Sequence, residues 1–320
     1  MPLRVGLAGL GRFGQLHANV LASLADVQLA AVADPDPVCL ALVADRYQVP
    51  ACHTDAMALI EDDTLDAVIL ATPDGQHGEQ ARFALVRRRH LFVEKPLAPS
   101  WLEAKELQEL AVRSGLVLQT GLLLRYEPSH RLLQRRVSAG EFGDLVSIRA
   151  KRNCSRSSFA AIADRIHTAH RTLIHDIDLV LWLSQSRITS VMALDYRDGN
   201  HLAPQGCFVL LRLADGSVAQ LESSWYLPDP VDGTTSHRNT PHGNTSHGGI
   251  DAELALWPVI GGRVGGALRD QLADFCACVR NGRPSPVADL DTAVEALRIA
   301  EAVIEAGRSG GVVVLGPQGG

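Results

Sequence analysis

The sequence has no apolar run near the roughly 20 residues that a bilayer crossing needs, no basic excess and no paired cysteines. The first absence predicts a chain that does not span a membrane. The formal net charge is −6, so overall charge does not attract nucleic acid, and no nucleic-acid partner is expected. The N-terminus runs at once into an apolar strand pattern, which predicts no leader segment. Six cysteines, at positions 39, 52, 154, 207, 276 and 278, show no metal-ligand spacing. Cys276 and Cys278 stand two apart on an expected helix and so point in different directions. They read as reduced thiols of a cytoplasmic protein. Hydrophobic residues make up 46% and charged residues 21% of 320 residues, an ordinary globular balance with room for about two domains.

What is present is concentrated near the start. Arg4-Val5-Gly6-Leu7-Ala8 leads into Gly9-Leu10-Gly11-Arg12-Phe13-Gly14, and Asp34 closes a second apolar run. Strand, G-x-G-x-x-G, helix, strand and acid make a dinucleotide-binding fingerprint. Gly9 permits the tight turn, Gly11 lets backbone approach a pyrophosphate, and Gly14 lets helix and strand pack closely. Free amides at the helix start then meet the phosphates. Arg12 has two readings, a pyrophosphate contact or a solvated surface arginine. Asp34 is placed to accept hydrogen bonds from the adenine-side ribose, and its charge repels a 2′-phosphate. Pro35 and Asp36 follow it, with no arginine to neutralise it. NAD is therefore expected, and NADP disfavoured.

Strand patterns at 3–8, 28–33, 66–71, 90–94 and 116–120 alternate with helical patterns at 12–24, 36–46, 54–61, 76–88 and 100–114. Such alternation predicts a doubly wound parallel sheet. Beyond Gly121 the pattern changes. A helix near 129–138, a strand at 144–152 and a helix near 171–184 precede strands at 187–196, 206–214 and 217–226, with Asp215-Gly216 as a hairpin signal. Helices at 267–280 and 289–307 and a strand at 311–315 close the chain. The expected fold class is α/β: a Rossmann sheet over 1–120, then an α+β domain with a mostly antiparallel sheet over 121–320.

Residues 229–249 are polar and glycine-rich, with His237, His242 and His247 at five-residue intervals. No cysteine or carboxylate joins them, so the stretch reads as a surface loop or substrate lid and no metal is expected. Two other clusters carry chemistry. Phe92-Val93-Glu94-Lys95-Pro96 ends the fifth strand, where open parallel sheets bind ligands. Lys95 is there either a proton donor and acceptor or a solvated partner of Glu94. In His170-Arg171-Thr172-Leu173-Ile174-His175-Asp176-Ile177-Asp178, helical spacing puts Arg171, His175 and Asp178 near one face. His175 is either a general base or a capped, partly buried histidine.

With Ala71-Thr72-Pro73 and His77, Glu94-Lys95-Pro96, Gly121 through Arg125-Tyr126-x-Pro128, Gly140-x-x-Gly143 and Trp225, nearly the whole chain resembles the glucose–fructose oxidoreductase and inositol dehydrogenase family. Leu173 to Asp178 is similar to the inositol dehydrogenase branch. The resemblance implies Lys95 and His175 as catalytic residues facing the nicotinamide. It implies Thr72, Pro73, His77 and Glu94 along the cofactor cleft, and Arg125 and Tyr126 as substrate contacts. It also implies hydride transfer from a secondary hydroxyl of a polyhydroxylated substrate, and a homodimer or homotetramer built through the C-terminal sheet.

One position departs from the pattern. Four residues before the histidine, the inositol-type proteins carry an aspartate, and here Arg171 stands. A guanidinium cannot accept a proton or a hydroxyl hydrogen bond. Arg171 then clamps a substrate carboxylate or phosphate, or points away while Asp164, His167 or His170 takes the role, or leaves a weak site. Two rival readings stay open: a non-catalytic NAD-binding sensor, and a carbonyl or imine reductase.

Overall fold

The computed structural model describes residues 1–160, 163–227 and 256–316. The histidine-bearing stretch 229–249 lies outside the described residues. Contacts divide the chain into two compact units.

The first unit comprises Met1–Glu127 and Leu256–Val294. Its strands are β1 (Leu3–Ala8), β2 (Val27–Ala33), β3 (Ala51–His53), β4 (Ala67–Leu70), β5 (His90–Val93) and β6 (Leu118–Thr120). They form one sheet in the order β3-β2-β1-β4-β5-β6, and every pairing is parallel. Strand order reverses between β1 and β4, which is where such sheets open a ligand crevice at their carboxyl ends. Helices α1 (Arg12–Ser23), α2 (Pro37–Tyr47), α3 (Ala56–Ile60), α4 (His77–Val86) and α5 (Trp101–Ser114) provide the crossovers. Val5, Leu7, Val32, Ile69, Leu70 and Phe92 are all fully buried. Burial on both faces explains why these strands read as continuous apolar runs rather than alternating ones.

Local chemistry sets the helix starts. Asp36 accepts the Val38 amide with Pro37 in the first turn of α2, Asp55 caps α3, and Ser100 caps α5. Strand β3 escaped the sequence reading because three residues, Ala-Cys-His, carry no period. The helix Gly266–Asn281, which the sequence reading put beyond residue 120, groups with this first unit. Tyr126 Oη donates to Asp274 Oδ2 at 2.6 Å, Arg280 meets Asp26, and Asn19 donates to the Gly262 carbonyl and accepts from the Val264 amide.

The second unit comprises Pro128–Ala255 and Glu295–Gly320. Its five-stranded sheet runs, edge to edge, Val312–Val314, Ile188–Tyr196, Gly206–Leu213, Val218–Leu227 and Ser147–Ser155. Only the last pairing is parallel. Alternation is clean: Val191, Ala193, Val209, Leu211, Ala219 and Leu221 are buried, while Met192, Leu194, Phe208 and Leu210 face outward. The expected helix near 171 differs at its start. Residues Ala169–Leu173 form a π-helical turn, and the α-helix runs Ile174–Ser184.

Candidate functional site

The glycine loop behaves as its spacing predicts. Gly9 sits at φ +87°, and a Cβ there would collide with the Ala71 carbonyl. A Cβ on Gly14 would run into the Gly9 carbonyl oxygen. At Gly11 nothing lies within 4 Å of a Cβ position, so open space stands over the loop. Gly11 caps α1 without any side-chain hydrogen bond. A glycine cap puts no side chain of its own over the first-turn amides, a helix start that suits a pyrophosphate. Arg12 is exposed at this helix start. Phe13 turns the other way and packs edge-on against His17 and Trp257, centroids 5.8 and 5.2 Å away.

Asp34 is half-buried at the end of β2. Its Oδ2 accepts the Leu10 amide at 2.6 Å and its Oδ1 the Asp36 amide at 2.8 Å. One lone pair on each oxygen is thus used by backbone and one remains, which fits a ribose diol. With the uncapped amides and the bare Gly11, the residues present fit an adenine dinucleotide.

Beyond β4, Thr72 Oγ1 donates to Gln80 Oε1 at 2.6 Å and Pro73 is exposed. His77 is fully buried. Its Nδ1 lies 2.7 Å from the Pro96 carbonyl and its Nε2 2.9 Å from the Thr72 carbonyl. His77 thereby joins the loops after β4 and β5. Lys95 is half-buried at the carboxyl end of β5. Glu94 Oε2 faces the Lys95 amide at 3.3 Å, and Glu94 Oε1 lies 2.8 Å from His17 Nε2. Burial pushes the Glu94 carboxyl up. The His17 hydrogen bond and the charges of His17, Lys95 and His77 outweigh it, and Glu94 ends below its ordinary value.

The resemblance implies Arg125 and Tyr126 as substrate contacts. Both are buried, at 1% and 2% exposure. Arg125 Nη1 donates to the Val287 carbonyl, and Tyr126 Oη meets Asp274, Gln119 and Ser285. Burial and Asp274 hold the phenol protonated well above its ordinary range. Tyr126 ties the turn Leu123–Tyr126 to the helix Gly266–Asn281, and Arg125 ties it to the segment after that helix, within the first unit.

In the second unit Arg171 is exposed, His175 half-buried and Asp178 buried. The π turn adds a residue where an α-helical spacing was assumed, so Arg171 and His175 are not related by regular α-helical geometry. Of the alternatives to Arg171, Asp164 meets His201 Nδ1 at 3.2 Å and His167 accepts the Ala169 amide. Sequence reasoning missed Arg152. It is half-buried on the strand Ser147–Ser155 and grips Asp176 with two nitrogens, at 3.1 and 2.8 Å. That contact fixes the residue next to His175. Sequence reasoning also missed His17, whose place three residues after Gly14 was its only signal.

Residues 3–122 match the family model described as "Oxidoreductase family, NAD-binding Rossmann fold" of the GFO/IDH/MocA group, and residues 130–237 match its C-terminal domain. The chain belongs to the GFO/IDH/MocA oxidoreductase family. Its cofactor is NAD. Over 316 residues it is 27% identical to the scyllo-inositol 2-dehydrogenase (NAD(+)) of Bacillus subtilis, covering 91% of this chain and 90% of that one. It is 29% identical to the rhizopine catabolism protein MocA of Rhizobium meliloti, with 94% of each covered. Among solved structures, the myo-inositol 2-dehydrogenase of Lactobacillus plantarum superposes with TM-score 0.82 at 22% identity, over 99% of this chain and 100% of that one. Among the described residues no helix is long and apolar enough to cross a membrane, and no cluster of metal-ligating side chains occurs.

Proposed function

We propose that this family member is a dehydrogenase that oxidises a secondary hydroxyl of a cyclitol, sugar or sugar acid. NAD, when bound, supplies the hydride acceptor. The carrying observation is Lys95, held at the carboxyl end of β5 beside the glycine loop's own sheet. Gly9, Gly11 and Gly14 admit the dinucleotide, with Arg12 at its edge, and Asp34 takes the ribose. Lys95 is the proton-transfer group of the first unit, and His175 that of the second. Exposed Arg171 is a guanidinium suited to a carboxylate or phosphate, which favours an acidic polyol over plain inositol. The relatives named for inositol and rhizopine support a polyhydroxylated substrate. The test is NADH formation, read by absorbance, against myo- and scyllo-inositol, aldoses and sugar acids. Turnover of an acidic polyol that is lost in Arg171→Ala supports the reading. Tight NAD binding with no turnover across the panel favours the sensor.

The chain also pairs with a second copy of itself through the outward face of its five-stranded sheet. Leu194, Leu210 and Val314 are 64%, 54% and 78% exposed there, an apolar surface of the kind that marks protein contacts. Sedimentation should show a dimer or tetramer, and Leu194→Glu with Leu210→Glu should yield monomers. A wild-type monomer overturns this assignment.

A further inference from the structure

We propose that His17 is a positioning residue for Lys95: it holds the Glu94 side chain as a fixed carboxylate at the end of β5. The inference rests on the assignment of Lys95 to proton transfer.

Five observations carry it. His17 is fully buried on α1. Its Nε2 lies 2.8 Å from Glu94 Oε1, and a carboxylate only accepts, so Nε2 carries the proton. Phe13 and Phe92 flank the ring edge-on at 5.8 and 5.7 Å, so it cannot swing away without breaking the core. Among the described residues Nδ1 has no hydrogen-bond partner, so the ring makes one directed hydrogen bond, and it goes to Glu94. Across the carboxylate, Gly121 leaves just enough room, because a Cβ there would stand 2.7 Å from Glu94 Oε2.

The titratable groups facing Glu94 are His17 on α1, Lys95 next in the chain and His77 on α4. Remove His17, and desolvation gains on the remaining attractions, so the carboxyl takes up a proton more readily. Lys95 then loses the negative neighbour that stabilises its ammonium, and Glu94 loses the anchor that fixes its rotamer. Both effects reach Lys95 through Glu94.

The experiment compares His17→Phe, which keeps the ring volume and removes the donor, with His17→Gln, whose amide N–H replaces Nε2. Infrared difference spectra at pH 7, assigned with Glu94→Gln, should show a carboxylate in the wild type. A carboxylic-acid band should appear in His17→Phe and fade in His17→Gln. The acid limb of kcat/KM should move down by about one pH unit in His17→Phe, because the Lys95 ammonium has lost its stabilising neighbour, with kcat down ~10-fold and NADH affinity within ~3-fold. His17→Gln should restore both. A His17→Phe protein with the wild-type carboxylate band and pH profile overturns the proposal. Should the phenylalanine variant unfold, His17→Met carries the same comparison. Wild-type turnover by Lys95→Ala would remove the Lys95 assignment while leaving the infrared result on Glu94 intact, so the two failures are distinguishable.

Discussion

Asp34 Oδ2 accepts the backbone amide of Leu10 at 2.6 Å, so the acid at the end of β2 holds the middle of the glycine loop in place. The same carboxylate therefore serves two ends: it shapes the loop, and it presents its remaining lone pairs to a ribose. Asp34→Ala should cost NADH affinity about 10- to 100-fold, the range of a hydrogen bond to a charged group. Discrimination against NADPH should weaken at the same time. Asp34→Asn keeps the acceptor for Leu10 and loses the charge, so it should shift NADPH discrimination more than NADH affinity. Calorimetry with both cofactors checks this. An unchanged NADH to NADPH ratio in both variants refutes the ribose assignment.

Gly11 and Gly14 differ in why they lack a side chain, and substitution separates the reasons. A methyl on Gly14 meets the Gly9 carbonyl, so Gly14→Ala should destabilise the fold by about 1–3 kcal/mol, an overpacking cost. A methyl on Gly11 meets nothing within 4 Å, and its backbone at φ −60° is open to alanine. Gly11→Ala should therefore keep the wild-type melting temperature and still lose NADH binding. Thermal melts beside fluorescence titrations with NADH decide the matter. A Gly11→Ala protein that binds NADH normally would show that the phosphates lie elsewhere.

Lys95, Lys105 and Lys151 are the lysines of this chain, which makes Lys95 simple to observe. Lys95→Ala should remove turnover and leave NADH affinity within ~3-fold, because the dinucleotide is held by backbone and Asp34. Reductive 13C-methylation should give few lysine resonances, and the one absent from Lys95→Ala reports its titration directly. Turnover at the wild-type rate would take lysine out of the chemistry.

The fold was legible where period and punctuation agree. Gly9, Gly14, Asp36, Ser100 and Gly216 each stand where the backbone requires their chemistry, and both sheets followed from them. The site was legible only in part. Lys95 and Asp34 are placed by strand ends, which sequence patterns locate well. His17 was invisible because its partner is 77 residues away, at a distance no local spacing records. Arg125 and Tyr126 stood in a matching motif, but their partners at 287 and 274 are too distant in sequence for any local spacing to record. The π turn at Ala169–Leu173 could not be read from apolar spacing, since one added residue leaves composition unchanged.

Arg152 and Asp176 form a buried ion pair of the second unit, with side chains 12% and 6% exposed. Burial disfavours the guanidinium charge, but Asp176 outweighs it and the guanidinium is held above its ordinary value. Breaking one side strands the other, so Arg152→Ala should cost about 3–5 kcal/mol, whereas replacing both with apolar residues of similar volume should cost far less. Urea denaturation of single and double variants gives the comparison. Because Asp176 adjoins His175, Arg152→Ala should also lower kcat.

Asp195 supplies a pH dependence of stability with a definite sign. Burial pushes its carboxyl up, but nearby His167 at 3.6 Å, Cys207 and the Arg197 hydrogen bond at 2.9 Å together hold it below the ordinary aspartate value. In the unfolded chain it returns to about 4. Between those two values the unfolded state binds the proton and the folded state does not, so stability rises with pH through that window. The contribution is complete above the unfolded value and is lost as pH falls through the folded one. Asp195→Asn should therefore lower stability at neutral pH and flatten its decline below about pH 4. Gly307 packs against this carboxylate, since a Cβ there would stand 2.9 Å from Oδ2, and Gly307→Ala should reproduce part of the loss. Urea midpoints measured from pH 7 down to pH 3 test the assignment, and parallel curves for wild type and Asp195→Asn would refute it.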